Sequence, residues 1–282
     1  MGLPRFLLYG LFLCSLLVPQ APDEAKVWQH FLFWLKAQPD VTQVGQDRYR
    51  EKLVAEGLAP AQVDEWMAAL GRLIPRRRDE LSPVYFDKLY ATPNQTRFTL
   101  EPNAFLVAMT KDLKPGKALD VAMGQGRNAV YLATRGWDVT GYDVAEDGLR
   151  IARENAARAG TTIKAEKARF EDFDYGTERW DLIYFVYTDA PVVDPAFVAR
   201  VCASLKKGGL LLIDRPFHPL DRPEPEWGPP TEQDQINALP RAWSALQLVH
   251  YEDTTGIGDW QQTSEDRVKK QLRIVRMLAR KR

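Results

Sequence analysis

Cysteine is almost absent from this sequence: only Cys14 and Cys202 occur in 282 residues. Cys14 lies in an apolar run near the N-terminus, so no disulfide framework is expected, and Cys202 reads as a small apolar packing residue. Histidine is nearly as scarce. His30, His218 and His250 are scattered and no Cys/His cluster has ligand spacing, so no metal site is expected. Net charge is also lacking, with 38 Lys plus Arg balancing 38 Asp plus Glu. No global field gathers nucleic acid or anionic lipid. Ser15, Ser82, Ser204, Ser244 and Ser264 lack a nucleophile-elbow setting, which argues against a serine hydrolase. The longest apolar run, Phe6 to Val18, falls short of the roughly 20 residues that span a bilayer.

That run nonetheless has an organisation. Arg5 precedes it, and Pro19, Pro22, Asp23 and Glu24 follow, in the basic, apolar and polar order of a secretory signal. Residues 1–22 are read as a signal-like or anchor segment, with a membrane tether through 6–18. A mis-assigned start or a packed helix are the alternatives. Residues 23–90 carry helical periodicity, with Trp28, Phe31, Leu32 and Leu35 on one face and Val63, Trp66, Met67, Leu70 and Leu73 on another. They are expected to form a helical cap that, with the linker around 91–101, lies over the mouth of the main domain. From 91 to 282 apolar strands alternate with helices, which implies a parallel sheet covered on both faces. Two late runs, 246–251 and 271–279, supply final strands.

The densest signal lies between Asp120 and Asp143. Gly124-x-Gly126-x-x-Ala129 matches a dinucleotide-binding loop, and Asp143, 19 positions after Gly124, stands where a ribose-binding acid is expected. The same mechanics serve S-adenosylmethionine. A pyrophosphate is anionic and seeks bare backbone N–H groups, whereas a sulfonium and an ammonium seek carboxylates. Asp120, at the end of the preceding strand, favours the cationic ligand.

With Asp120-Val-Ala-Met-Gly124-Gln-Gly126, Val139-Thr-Gly-Tyr-Asp143, Trp180-Asp-Leu-Ile and Leu205-Lys-Lys-Gly-Gly209 in order, residues 98–282 resemble the class I S-adenosylmethionine-dependent methyltransferases. The finer pattern around Gly126-Arg127-Asn128 is similar to tellurite-resistance-type small-molecule methyltransferases. The resemblance implies an α/β fold, a Rossmann-like seven-stranded doubly wound sheet with an N-terminal helical extension, and S-adenosyl-L-methionine held by Asp120, Met123, Gly124, Gly126, Asp143 and Phe170. It implies methyl transfer to a small-molecule acceptor by in-line displacement; a nucleic-acid substrate is disfavoured because the position after the fourth strand reads Tyr187-Thr-Asp-Ala-Pro191 rather than an Asn/Asp-Pro-Pro-aromatic run. Two departures stand out. Ala122 replaces a glycine of the loop, acceptable if its φ is negative. Arg169 occupies the place of an acid that would meet adenine, leaving that contact to Glu171, Asp172 or Phe170.

Acceptor-side candidates follow the fourth and fifth strands: Tyr184, Tyr187, Thr188 and Asp189, then Asp214, Arg215 and His218. His218 is the candidate general base and Tyr187 chiefly a pocket wall, since a phenol ionises near pH 10. Two other functions stay open: a non-catalytic S-adenosyl-nucleotide-binding module at a membrane, and a nicotinamide-dependent dehydrogenase. Localisation is divided as well, because the signal-like start points to export or anchoring while the supply of methyl donor points to the cytoplasm. The acceptor's identity and the oligomeric state stay open.

Overall fold

The structure is a computed structural model that describes residues 22–39, 45–91, 98–217, 232–259 and 271–282. The run 6–18, residues 92–97 of the linker and the proline-rich segment containing His218 lie outside the described residues. Two compact units are present, one of residues 1–34 and 45–77, the other of 35–44 and 78–282.

In the first unit, helices α1 (Glu24–Ala37), α2 (Gln46–Ala55) and α3 (Pro60–Arg76) pack their apolar stripes together. Phe31 and Trp34 meet Tyr49, with ring centroids 5.1 Å away in both pairs, and Trp28, Leu53, Val63 and Leu70 are buried as well. His30 belongs to this packing: its Nδ1 lies 2.8 Å from the Tyr49 hydroxyl and its Nε2 3.0 Å from Glu56. The expected periodicity is therefore a helix-bundle core, and His30 has a structural role there.

Helix α4 (Arg78–Ala91) was expected in the helical cap but groups with the second unit. It carries Asp79 and Glu80 in its first turn and Lys88 in its last, an arrangement that suits the helix dipole. Then come α5 (Ala104–Thr110), β1 (Lys117–Val121), α6 (Arg127–Thr134), β2 (Asp138–Asp143) and α7 (Glu146–Arg158). The chain continues through β3 (Lys164–Lys167), β4 (Trp180–Val186), α8 (Pro195–Ser204), β5 (Leu205–Phe217), α9 (Ala238–Ala242), β6 (Gln247–Ile257) and β7 (Gln271–Arg280).

Seven strands form one sheet in the order β3-β2-β1-β4-β5-β7-β6. The first five are parallel, as the alternation requires. The last two depart from the parallel expectation: β7 inserts between β5 and β6 and runs antiparallel to both. Both faces of the central strands are covered, so β4 and β5 are apolar without alternation. Ile183, Phe185, Leu211 and Ile213 serve one core layer and Leu182, Tyr184, Leu210 and Leu212 the other. Strand order reverses between β1 and β4, which opens a crevice at their carboxyl ends.

Candidate cofactor and acceptor site

That crevice is a cleft of about 690 Å³. Its floor is the loop after β1, whose backbone is pinned at every turn. Met123 N donates to Tyr142 O at 3.0 Å, Gly126 N to Met123 O at 2.9 Å, and Gly124 N to Asp143 Oδ2 at 2.8 Å. Gly126 needs to be glycine, because its φ is +77° and a Cβ there would lie 2.8 Å from Ala152 Cβ. Ala122 overturns its expectation: its φ is +57°, in the left-handed region rather than the negative one. A Cβ in that region crowds the backbone and costs roughly 1–2 kcal/mol, so the alanine is tolerated under strain. Met123 packs its sulfur on Gly141 of β2 and also lines the cleft.

Two carboxylates face the loop from buried positions. Asp143 is held by Gly124 N on one oxygen and Ala145 N at 2.9 Å on the other. Each oxygen keeps a lone pair for a further donor. Burial raises its pKa, against the backbone amides of Ala145, Gly124 and Val144 that lower it. Asp120 is 3% exposed, and its Oδ2 has no hydrogen-bond partner. Burial, the largest influence, pushes its pKa up to about 8. Its partner across the ladder, Tyr184, lies in the core rather than on the acceptor side where it was expected.

Beyond β3, Phe170 lines the cleft and is seated edge-on against Tyr142 and Phe197, with centroids 6.2 and 6.1 Å away. Of the two acids that follow, Glu171 lines the cleft and Asp172 does not. Arg169 turns to α4 instead, reaching Asp79 Oδ2 at 3.2 Å and Asp79 O at 3.1 Å.

At the ends of β4 and β5 the cleft is lined by Tyr187, Thr188, Asp189 and Arg215, four of the residues expected on an acceptor side. Tyr187 also has a left-handed backbone, φ +54°, a strained conformation of the kind that gathers at functional sites. Its hydroxyl accepts from Asp259 N at 3.2 Å, and burial holds its phenol well above the ordinary range. Asp214 is fully buried beneath the cleft, where Asn103 Nδ2 donates to it at 2.9 Å and Arg276 pairs with it at 3.3 Å. Its place is structural, not on the cleft wall. Asp259 joins this network, accepting from Arg127 at 3.0 Å. His218, the candidate base, lies outside the described residues.

Helix α4, part of the region expected over the mouth, supplies a wall whose individual residues the sequence reading did not name. Arg78, Asp79, Ser82, Phe86 and Tyr90 line the cleft. Tyr90 sets its hydroxyl against Gly124, and Arg78 pairs with Asp189 across the opening.

Comparison with known proteins agrees with this architecture. Residues 118–209 match the family described as "Methyltransferase domain". A ubiquinone biosynthesis O-methyltransferase from Methylobacterium nodulans is 37% identical over 33% of the chain and 37% of that protein. Its counterpart from Idiomarina loihiensis is 32% identical over 44% of the chain and 50% of that protein. The chain thus spans half or less of the length of these curated relatives. TehB from Haemophilus influenzae shares the fold, with a TM-score of 0.54 and 24% identity over 71% of this chain and 67% of TehB. Residues 118–209 thus carry a methyltransferase domain, and the sheet order and the loop support the class I S-adenosylmethionine-dependent type.

Proposed function

We propose that this protein transfers a methyl group from S-adenosyl-L-methionine to a small-molecule acceptor by in-line displacement. The observation that carries the reading is the chemistry of the loop's donors and acceptors. Met123, Gly124 and Gly126 have already spent their N–H groups within the protein, so the loop offers little to a pyrophosphate. A buried carboxylate oxygen of Asp120 stands without a partner at the same place. Such a site calls for a cation, and the dehydrogenase alternative loses its support.

In this reading Asp120 faces the cationic sulfonium and amino end, Asp143 accepts from ribose hydroxyls, and Phe170 lies along the adenine with Glu171 beside it. Gly124, Gly126 and Met123 shape the floor. When bound, the cofactor supplies a methyl group on positively charged sulfur, and transfer leaves the bonding pair on that sulfur. The protein's own work is alignment and exclusion of water. Tyr187 forms a wall of the acceptor pocket, since a phenol so raised does not accept protons near neutrality. A proton released by the acceptor passes to His218 or to solvent.

A turnover screen of the full chain tests the proposal. S-adenosylmethionine is offered with thiols, halides, oxyanions and hydroxylated metabolites, and S-adenosylhomocysteine formation is measured. Production with one class supports the enzyme. Tight S-adenosylhomocysteine binding without turnover in any class favours a non-catalytic binding module. NADH binding without S-adenosylhomocysteine binding sinks the assignment.

A further inference from the structure

Arg215 is the buried charge that the reading above leaves unused. It lines the cleft, yet is only 6% exposed. Its Nε has no hydrogen-bond partner, and Nη1 reaches only Ala190 O at a long 3.3 Å. The guanidinium lies over the Phe217 ring, 4.7 Å from its centroid. Asp189 and Asp234 act on it through space, but no carboxylate among the described residues closes an ion pair with it. Asp189 pairs with Arg78 instead. Burial accordingly pulls the Arg215 pKa down.

A buried guanidinium without a paired anion is strongly disfavoured unless something else satisfies it. Here the unsatisfied Nε belongs to a cleft wall, so a bound ligand can supply the missing acceptor. Position adds to this. Asp120 pairs with Tyr184, and Asp214, just before Arg215, pairs with Val186. Two strand spacings and three residues of rise set the Cα atoms of Asp120 and Arg215 roughly 14 Å apart. That separation leaves room for a small molecule between the methyl-donor end and a terminal anchor.

We propose that Arg215 anchors a carboxylate of the acceptor, so that the substrate class is a small monocarboxylate with an apolar body resting on Phe217 and Tyr187. The inference rests on the methyl-transfer reading of the cleft. Planar two-oxygen groups match the guanidinium fork. With Asp120 protonated, the cleft lining still carries five carboxylates against four guanidiniums, so a phosphate dianion is repelled more than a single negative charge. With the carboxylate held at Arg215, the acceptor's nucleophilic atom points back toward the Asp120 end.

Calorimetric titration of the full chain, with and without S-adenosylhomocysteine, tests this with benzoate, its neutral isostere benzamide and inorganic phosphate. Benzoate is expected to bind at least tenfold more tightly than either of the others. Arg215→Gln is expected to lose at least tenfold in benzoate affinity while S-adenosylhomocysteine affinity stays within twofold. Equal binding of benzoate and benzamide by the unmodified protein overturns the proposal, and needs no variant to fold. Phosphate binding as tightly as benzoate overturns the monocarboxylate assignment. Failure to bind S-adenosylhomocysteine removes the methyl-transfer reading instead, while the benzoate comparison in the free protein still decides the anchor.

Discussion

Asp120 couples cofactor binding to pH. In the free protein burial pushes its carboxyl pKa up to about 8. A cation beside it requires the anionic form, so binding must expel the proton whenever the pH is below that value. The apparent Kd then rises by a factor of one plus ten raised to the distance below pH 8, about tenfold at pH 7 and about a hundredfold at pH 6. Close to one proton is released per cofactor bound at pH 7. Calorimetry in buffers of different ionisation enthalpy reads both quantities for S-adenosylmethionine. The ligand's own amino group titrates near pH 8, so Asp120→Asn is the control that isolates the protein's contribution. The variant should lose the steep dependence between pH 6 and 8 and bind more than tenfold more weakly at pH 8.5. Stability runs the other way. The folded pKa lies above the ordinary 3.8, so this group's contribution is fully present below about pH 4 and is lost as pH rises toward 8. At pH 7 the loss is on the order of 4 kcal/mol, and Asp120→Asn should therefore melt higher than the unmodified protein at neutral pH. A flat affinity profile in the unmodified protein, or the same slope in the variant, would refute the reasoning.

Ala122→Gly relieves a left-handed alanine and should raise stability by about 1 kcal/mol in denaturant unfolding, with cofactor affinity unchanged within twofold; destabilisation would show that the loop is not strained there. Asp143→Ala frees the Gly124 and Ala145 amides and removes the ribose acceptor, so S-adenosylhomocysteine affinity should fall more than tenfold in calorimetry. Unchanged affinity would end that assignment. Removing two exposed ion pairs of α4 with Arg78→Ala and Asp79→Ala should cost about 1 kcal/mol in total, seen as severalfold faster hydrogen exchange of α4 amides while the strands keep their protection.

Strand and helix existence across the second unit was readable from periodicity, because a sheet buried on both faces demands runs such as Trp180–Val186. The loop's chemistry was readable too, since glycine spacing and two acids are local facts. The sign of φ at Ala122 was not, because the same residue type occupies either region and only the closed turn decides. Arg169 was suspected as a misfit at the adenine; its actual partner, Asp79, lies 90 positions away.

What the sequence determined by itself is therefore what depends on neighbours along the chain: the α/β alternation, the Gly124 to Gly126 turn, the Asp120 and Asp143 carboxylates, and with them the resemblance to the methyltransferases. Tertiary structure alone decided what depends on burial and on distant partners. It ran β7 antiparallel between β5 and β6, moved α4 from the helical extension to the cleft wall, and sank Tyr184 and Asp214 into the core while leaving Arg215 on the cleft with an unmet hydrogen bond. The reason is physical: a side chain's charge is written in its type, but the cost of holding that charge depends on how much water and which counter-charges the fold leaves around it.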